Sequence, residues 1–345
     1  MVSPGHKFAE WYGNGQFKMM VDNTLDPSSE KVYTFLDKVF TEVAALFPFQ
    51  YIHAGGDECY HGYWENDPDC QALMQKEGLK TTHELQSYFT KRVEKIVKSK
   101  GKKLIGWDEI LEGGLAPEAA VMSWRGLEGG IEAAKLGHFV VMSPNDYVYT
   151  DLLQGDPLVE PDQTSYKSVR LQKTYSFEPV PAEINPTYIL GGQANLWTEK
   201  VPTIRQAEYM TWPRAWATAD IYWSPRDSKN WDAFTQRMEK HMERYDIGGF
   251  NYARSSFDPI VTGSMVNGKL MANVTTEVNG LEIYYTLDES IPDKYSRKYT
   301  GPIEIPDGKQ VTLKVSTYRN GKPSGRMVPI SREEIIKRVV PAKAP

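Results

Sequence analysis

Two hydrophobic periods alternate along most of this chain. From about residue 28 to 250, stretches with apolar residues at helical spacing trade places with short, nearly continuous apolar runs that read as strands. Ser28 or Ser29 caps a predicted helix in which Val32, Phe35, Leu36, Val39, Phe40 and Val43 fall at helical spacing. A strand follows at 50–54. Thr81 with Glu84 resembles a capping box, Leu85, Phe89, Val93 and Ile96 line the helix behind it, and Gly101 stops it. Strands are then predicted at 103–107, 119–124, 139–143 and 188–197, with helices around 130–135, 203–211 and 227–245. Pro213 should end or kink the helix before it. Beyond about residue 264 the pattern changes to alternation at 280–288, 303–305 and 311–318, with turns at Pro306-Asp307-Gly308 and Arg319-Asn320-Gly321.

Strand-then-helix alternation implies a parallel sheet. Each predicted strand end carries polar or aromatic groups: Asp57-Glu58, Trp107-Asp108-Glu109, Trp124-Arg125, Tyr149 with Asp151, and Trp197 with Glu199. Functional side chains at the carboxyl ends of successive strands mark a (β/α)8 barrel rather than an open doubly wound sheet. No G-x-G-x-x-G or G-x-x-x-x-G-K-[ST] run supports nucleotide binding. Only five strands are countable where a barrel has eight, and residues 1–27 offer no strand with its helix. The expected fold class is therefore α/β, of (β/α)8 TIM-barrel type and incomplete, with strands 4–8 only. The expected division is a partial catalytic barrel over 1–263, a small antiparallel β-sandwich over 264–330 and a short basic helical tail over 331–345. Open barrel edges invite pairing with another chain, so self-association through them is expected.

Composition narrows the function classes. The chain has 345 residues, 40% of them hydrophobic and 25% charged, as in an ordinary soluble domain or pair of domains. A formal net charge of -5 argues against nucleic acid as a partner, which would call for clustered basic residues. No run approaches the length of a membrane span, and the first residues, Met1 to His6, lack the basic and apolar regions of a signal peptide. Cys59 and Cys70 could close a disulfide loop or remain free thiols. Nine Trp and twenty Tyr fit either sugar stacking or a bulky core. Trp64, Trp212, Trp216, Trp223 and Trp231 fall on helices or loops and are assigned to packing, and Asn273-Val274-Thr275 is a glycosylation sequon in form only.

The most informative stretch is Tyr51 to Glu58, an apolar run that ends in Gly55-Gly56 and then two adjacent carboxylates. Neighbouring carboxylates repel, so one tends to hold its proton near neutral pH, which is what a general acid needs. A solvated Gly-rich turn is the plain alternative. A metal site drawing on His53, Asp57 and Glu58 is another, though no second cluster in the chain completes it, and no cofactor is expected.

These motifs together resemble the family 20 glycoside hydrolases, the β-N-acetylhexosaminidases. Pro4-Gly5-His6 looks like the end of the family's third strand segment, and His53-Ala54-Gly55-Gly56-Asp57-Glu58 is similar to its H-x-G-G-D-E motif. Gly106 to Glu109, Met122 to Gly126, Tyr149 to Asp151 and Gln193 to Glu199 match its next four strand ends, and Glu208 to Arg214 the helix after the last strand. Ile283 to Asp288 resembles the small β-domain often appended to these enzymes. The family's N-terminal α/β domain, its first three strands and the sugar-gripping arginine of its first strand have no match here.

The resemblance implies a retaining, substrate-assisted reaction in which the substrate's own acetamide attacks the anomeric carbon through an oxazolinium-like intermediate. Glu58 would be the acid and later the base, Asp57 would accept the acetamide N–H, and Tyr149 would donate to the acetamide oxygen. An ionised Asp57 would help keep Glu58 protonated. Trp107, Trp124 and Trp197 would wall the pocket, and Asp151 and Glu199 would bind sugar hydroxyls. His6 and His53 are candidates to modulate Glu58 or to pack, and Asp108 and Glu109 are weaker candidates that anchor loops. The implied partners are glycans ending in N-acetylglucosamine or N-acetylgalactosamine, and the implied compartment is periplasmic or secreted. The competing reading is a catalytically inactive carbohydrate-binding or assembly component, and a third is a metal-dependent barrel enzyme.

Overall fold

The computed structural model describes residues 7–11, 17–21, 24–161, 167–307 and 311–339, the first two segments as backbone alone. The chain forms two compact units, Met1–Asp146 with Glu178–Gln193 and Tyr147–Phe177 with Ala194–Pro345.

In the first unit, β1 (Lys7–Trp11) and β2 (Phe17–Val21) pair as an antiparallel hairpin. The sequence pattern gave no strand before residue 28. Helix α1 (Glu30–Leu46) begins after Ser29, as its apolar spacing predicts, and Tyr33 donates to the Pro27 carbonyl at 2.7 Å. Next come β3 (Tyr51–His53), α2 (Pro68–Glu77) and α3 (Thr82–Ser99). Thr81 caps α3 by accepting from the Glu84 N–H, and the Glu84 carboxylate reaches back to the Lys80 N–H.

The strands β4 (Lys103–Trp107), β5 (Ala120–Ser123), β6 (Val140–Met142) and β7 (Ile189–Gly192) join β3 in a five-stranded sheet, order β3-β4-β5-β6-β7, parallel throughout. Alternation sends Ile105, Trp107, Ala120 and Met122 into one cluster, against which Tyr51, Trp124 and Val141 pack. The alternate residues Leu104, Val121, Val140 and Met142 are buried too, and α3 and α4 (Glu128–Lys135) contact β4, β5 and β6. A sheet covered on both sides explains why these strands read as continuous apolar runs. β3 and β7 are its outer strands among the described residues, and Phe47 and Phe49, next to β3, are 58% and 79% exposed. The strand predicted over 188–197 is shorter than expected: β7 ends at Gly192, and Asn195 instead bridges Tyr149 in the second unit.

The second unit takes up the chain within α5 (Asn145–Val148), continues through α6 (Leu171–Tyr175), and resumes after β7 with α7 (Ile204–Thr211), α8 (Arg214–Trp223) and α9 (Trp231–Gly248). Pro213 separates α7 from α8, as its lack of an N–H predicts. α8 buries Ala217, Thr218 and Ile221. Trp223, two residues past Ile221, therefore turns away from that face and is 93% exposed, so its assignment to packing is corrected. The other four tryptophans are buried or half-buried; Trp64, for one, donates to the Leu25 carbonyl inside the first unit.

The remaining strands are β8 (Ile260–Val266), β9 (Lys269–Thr275), β10 (Glu282–Thr286), β11 (Arg297–Lys298), β12 (Ile303–Glu304), β13 (Thr312–Arg319), β14 (Lys322–Pro323) and β15 (Val328–Ser331). They form two antiparallel sheets, β12-β9-β8 and β11-β10-β13-β14 with β15 beside β13. Val261, Leu270 and Ala272 of one sheet share a core with Leu313, Val315 and Ile330 of the other. The boundary expected at 263/264 falls inside β8. The expected tail begins as α10 (Arg332–Lys337), whose Ile335 is fully buried in that core; residues 340–345 lie outside the described ones. Asn273 of the sequon sits within β9 and donates to Ser264 at 2.8 Å.

Candidate active site

The two acids leave β3 through a turn that glycine makes sterically feasible. Gly55 and Gly56 have φ of 75° and 100°, and Glu58 itself lies in the left-handed region at 47°. A Cβ on Gly56 would meet Ile110 Cγ2 at 2.6 Å, and one on Gly106 would meet the Gly55 carbonyl at 2.8 Å. The β3 and β4 ends therefore approach as only hydrogen-bonded backbone can, with Trp107 N–H donating to Gly55 O at 2.9 Å. From α3, Gln86 donates to the Gly56 carbonyl at 2.8 Å and accepts from His61 at 2.6 Å. His53 accepts from the Gly55 N–H through Nδ1 at 3.1 Å, and its ring lies 4.9 Å from that of Trp107. Asp57 and Glu58 end exposed at the carboxyl end of the sheet. His6 lies outside the described residues.

At the next strand end Asp108 and Glu109 anchor the turn after β5, as the sequence reading expected of them. Asp108 and Glu109 are 1% and 8% exposed. Asp108 accepts from the backbone N–H groups of Trp124 and Arg125 at 3.0 and 3.1 Å and from Arg125 Nε at 2.6 Å. Glu109 accepts the indole N–H of Trp124 with both oxygens, at 3.1 and 2.9 Å. Burial pushes the Glu109 carboxyl up to about 7 against the pull of that indole. A cavity of about 660 Å³ opens here, lined by Glu58, Glu109, Trp124 and Arg125 together with His61 and His83. His83 pairs with Glu112 at 2.9 Å, and Glu112 with Arg125 at 2.8 Å. Sequence spacing gives no hint of this histidine pair, because α3 supplies one member and the loop after Glu58 the other. Among the described residues no three His, Cys, Asp or Glu side chains converge as a metal site requires, and both cysteines are free thiols.

The remaining expected residues belong to the second unit. Tyr149 is buried, and its ring lies 6.3 Å from that of Trp197. Thr150 N–H donates to Asn195 O at 2.7 Å and Asn195 N–H to Val148 O at 3.1 Å, which aligns the two segments as a short parallel pair. Asp151 Oδ1 is buried without a hydrogen-bond donor among the described residues. Burial lifts that carboxyl to about 6, with Arg214 pulling it down and Glu199 pushing it up. Trp197 and Glu199 are exposed. Thus Asp57, Glu58, His53, Trp107 and Trp124 come together in one unit, and Tyr149, Asp151, Trp197 and Glu199 lie in the other.

Comparisons with known proteins agree with this arrangement of motifs. The family model for glycosyl hydrolase family 20, catalytic domain, matches residues 6–226, and a model described as Fn3 associated matches 273–329. A beta-hexosaminidase of Porphyromonas gingivalis is 41% identical over 315 residues, covering 90% of this chain and 40% of that protein. One from Vibrio furnissii is 38% identical over 57% of this chain and 33% of its own length. Among solved structures, an exo beta-N-acetylglucosaminidase of Vibrio harveyi in complex with N-acetylglucosamine superposes with a TM-score of 0.63 at 30% identity, over 73% of this chain and 40% of that one. The chain thus spans two fifths or less of the length of the relatives it matches here.

Proposed function

The chain belongs to glycosyl hydrolase family 20, and from that membership we propose that it removes terminal non-reducing N-acetylhexosamine from glycans by a retaining, substrate-assisted reaction. The observation that carries the reading is the Asp57–Glu58 pair, delivered to the end of a parallel strand by two glycines at positive φ. Glu58 protonates the leaving oxygen and then takes the proton from the water that opens the oxazolinium-like intermediate. Asp57 accepts the acetamide N–H and offsets the positive charge that develops there. Trp107 and Trp124 face the acetamide methyl. In the second unit, Tyr149 donates to the acetamide oxygen, and Asp151 and Glu199 accept from sugar hydroxyls. The buried Asp151 Oδ1, which has no donor among the described residues, supports that role, since a hydroxyl would satisfy it. Candidate substrates end in N-acetylglucosamine or N-acetylgalactosamine, and we place the protein outside the cytoplasm by its family. The outer strands β3 and β7, with exposed Phe47 and Phe49, support self-association; a monodisperse monomer in light scattering would remove that part.

The test is hydrolysis of a 4-nitrophenyl N-acetyl-β-glucosaminide by the purified chain, paired with binding of a thiazoline mimic of the intermediate. Turnover in the wild type and weakened thiazoline binding in Asp57→Asn support the reading. Binding without turnover would favour an inactive carbohydrate-binding component, and equal thiazoline affinity in the variant would remove Asp57 from its role.

A further inference from the structure

We propose that Glu109 is a positioning residue that sets the tilt of the Trp124 indole, and so decides which N-acyl groups the pocket wall admits. The specificity half rests on the hydrolase reading above; the clamp itself does not. The two acids that follow β4 divide the work of holding the turn after β5. Asp108 fixes its backbone, through the N–H groups of Trp124 and Arg125. Glu109 fixes its side chain, because both carboxylate oxygens accept the single polar atom of the Trp124 ring. An indole offers one N–H donor and nothing else, so its partner controls the ring's rotation about the side-chain axis.

A backbone carbonyl or water would satisfy that N–H at less cost than a carboxylate that is only 8% exposed. A buried carboxylate brings direction and strength, since charge-assisted hydrogen bonds are shorter and stronger than neutral ones. Trp124 packs on the cluster that contains Trp107, Ile105 and Met122. A change in the angle of the Trp124 ring would move the part of the wall it forms, and with it the room left for an N-acyl group. Burial raises the Glu109 carboxyl to about 7, so the ionised form that accepts most strongly from the indole gains population as pH rises through that value. Charged groups facing it are Asp108 beside it in the chain and Arg125, whose Nε lies 3.8 Å away; Glu58, Glu112, His61 and His83 line the same cavity.

The experiment uses the full chain as wild type, Glu109→Gln and Glu109→Ala, and identifies the Trp124 indole N–H resonance by its loss in Trp124→Phe. The wild-type resonance should move as pH rises through about 7, while in Glu109→Gln it should stay still across that range. Selectivity, as the ratio of kcat/KM for N-acetyl over N-butanoyl 4-nitrophenyl glucosaminides, should fall roughly tenfold in Glu109→Ala, the scale of one or two methylenes in a pocket. Glu109→Gln, which keeps one acceptor oxygen, should retain most of it. If Glu109→Ala does not fold, the glutamine variant and the pH course of the resonance decide the clamp. A Trp124 resonance that is identical and pH-independent in wild type and Glu109→Gln overturns the proposal. So does unchanged acyl selectivity in a folded Glu109→Ala. A wild type with no turnover refutes the hydrolase reading separately, and the resonance still judges the clamp.

Discussion

Arg214, a side chain with no solvent exposure, donates from Nη2 to the carbonyl of Thr150 at 2.6 Å. The same guanidinium donates to Met210 O at 2.8 Å and Val169 O at 3.0 Å. It therefore pins the backbone between Tyr149 and Asp151. Replacing it with methionine should cost several kcal/mol of stability, at about 1–3 kcal/mol for each carbonyl left without a donor. Urea unfolding with an unchanged midpoint would show that the three carbonyls find other partners.

Glu58→Gln keeps the size of the side chain and removes its exchangeable acid proton. Turnover of a chromogenic N-acetylglucosaminide should fall by roughly 10²–10⁴-fold, the usual range for a general acid, with thiazoline binding nearly intact. Equal initial rates for variant and wild type would take Glu58 out of the acid role.

Gly56→Ala puts a methyl group 2.6 Å from Ile110 Cγ2 on a backbone with φ of 100°. The strain should cost about 1–3 kcal/mol and displace the turn that carries the acids. Ile110→Ala is costly on its own, since that side chain is only 3% exposed, but in its background Gly56→Ala should cost less than in wild type, because the clash is gone and only the backbone strain remains. Thermal melts of wild type, both single variants and the double variant close that cycle, and a Gly56→Ala cost that vanishes in the Ile110→Ala background would assign the whole effect to the clash.

Asp151 makes stability depend on pH. Its carboxyl titrates near 6 in the fold against an ordinary 3.8, chiefly through burial. A carboxyl whose pKa is higher when folded favours the fold fully below the unfolded value and loses that contribution as pH rises through the folded one. The stability of wild type relative to Asp151→Asn should therefore decline between about pH 4 and 6 and stay level above. Denaturant titrations at four or five pH values suffice, and a difference that grows with pH across this window would reverse the sign and the explanation.

The legible parts of the chain were those written in local patterns. Thr81 and Glu84 announced the start of α3, and the strands at 103–107 and 119–124 were found nearly to the residue because burial on both faces makes them continuous apolar runs. Gly-Gly-Asp-Glu marked the strand end that carries the acids. Helix α2 was missed although Asp67-Pro68 and Gly78 bracket it; its weak apolar stripe gave the period nothing to show, and the Asp67 side chain caps it through the Asp69 and Cys70 N–H groups. Trp223 was misplaced because residue type was read without its angular position on α8. The pairing of Glu109 with Trp124 joins two strand ends 15 residues apart, and no single-sequence periodicity encodes such a contact.

The route of the chain through its two units also governs how it can be made and broken. β7 closes the first unit's sheet, yet residues 147–177, which belong to the second unit, leave the ribosome before it. The first unit's sheet thus waits, one strand short, while part of its neighbour is already synthesised. No single backbone cut can release either unit intact, since each is made of two separated stretches. A nick at 177/178 yields two pieces that each hold part of both units, so reconstitution after proteolysis is a matter of fragment complementation rather than of domain docking.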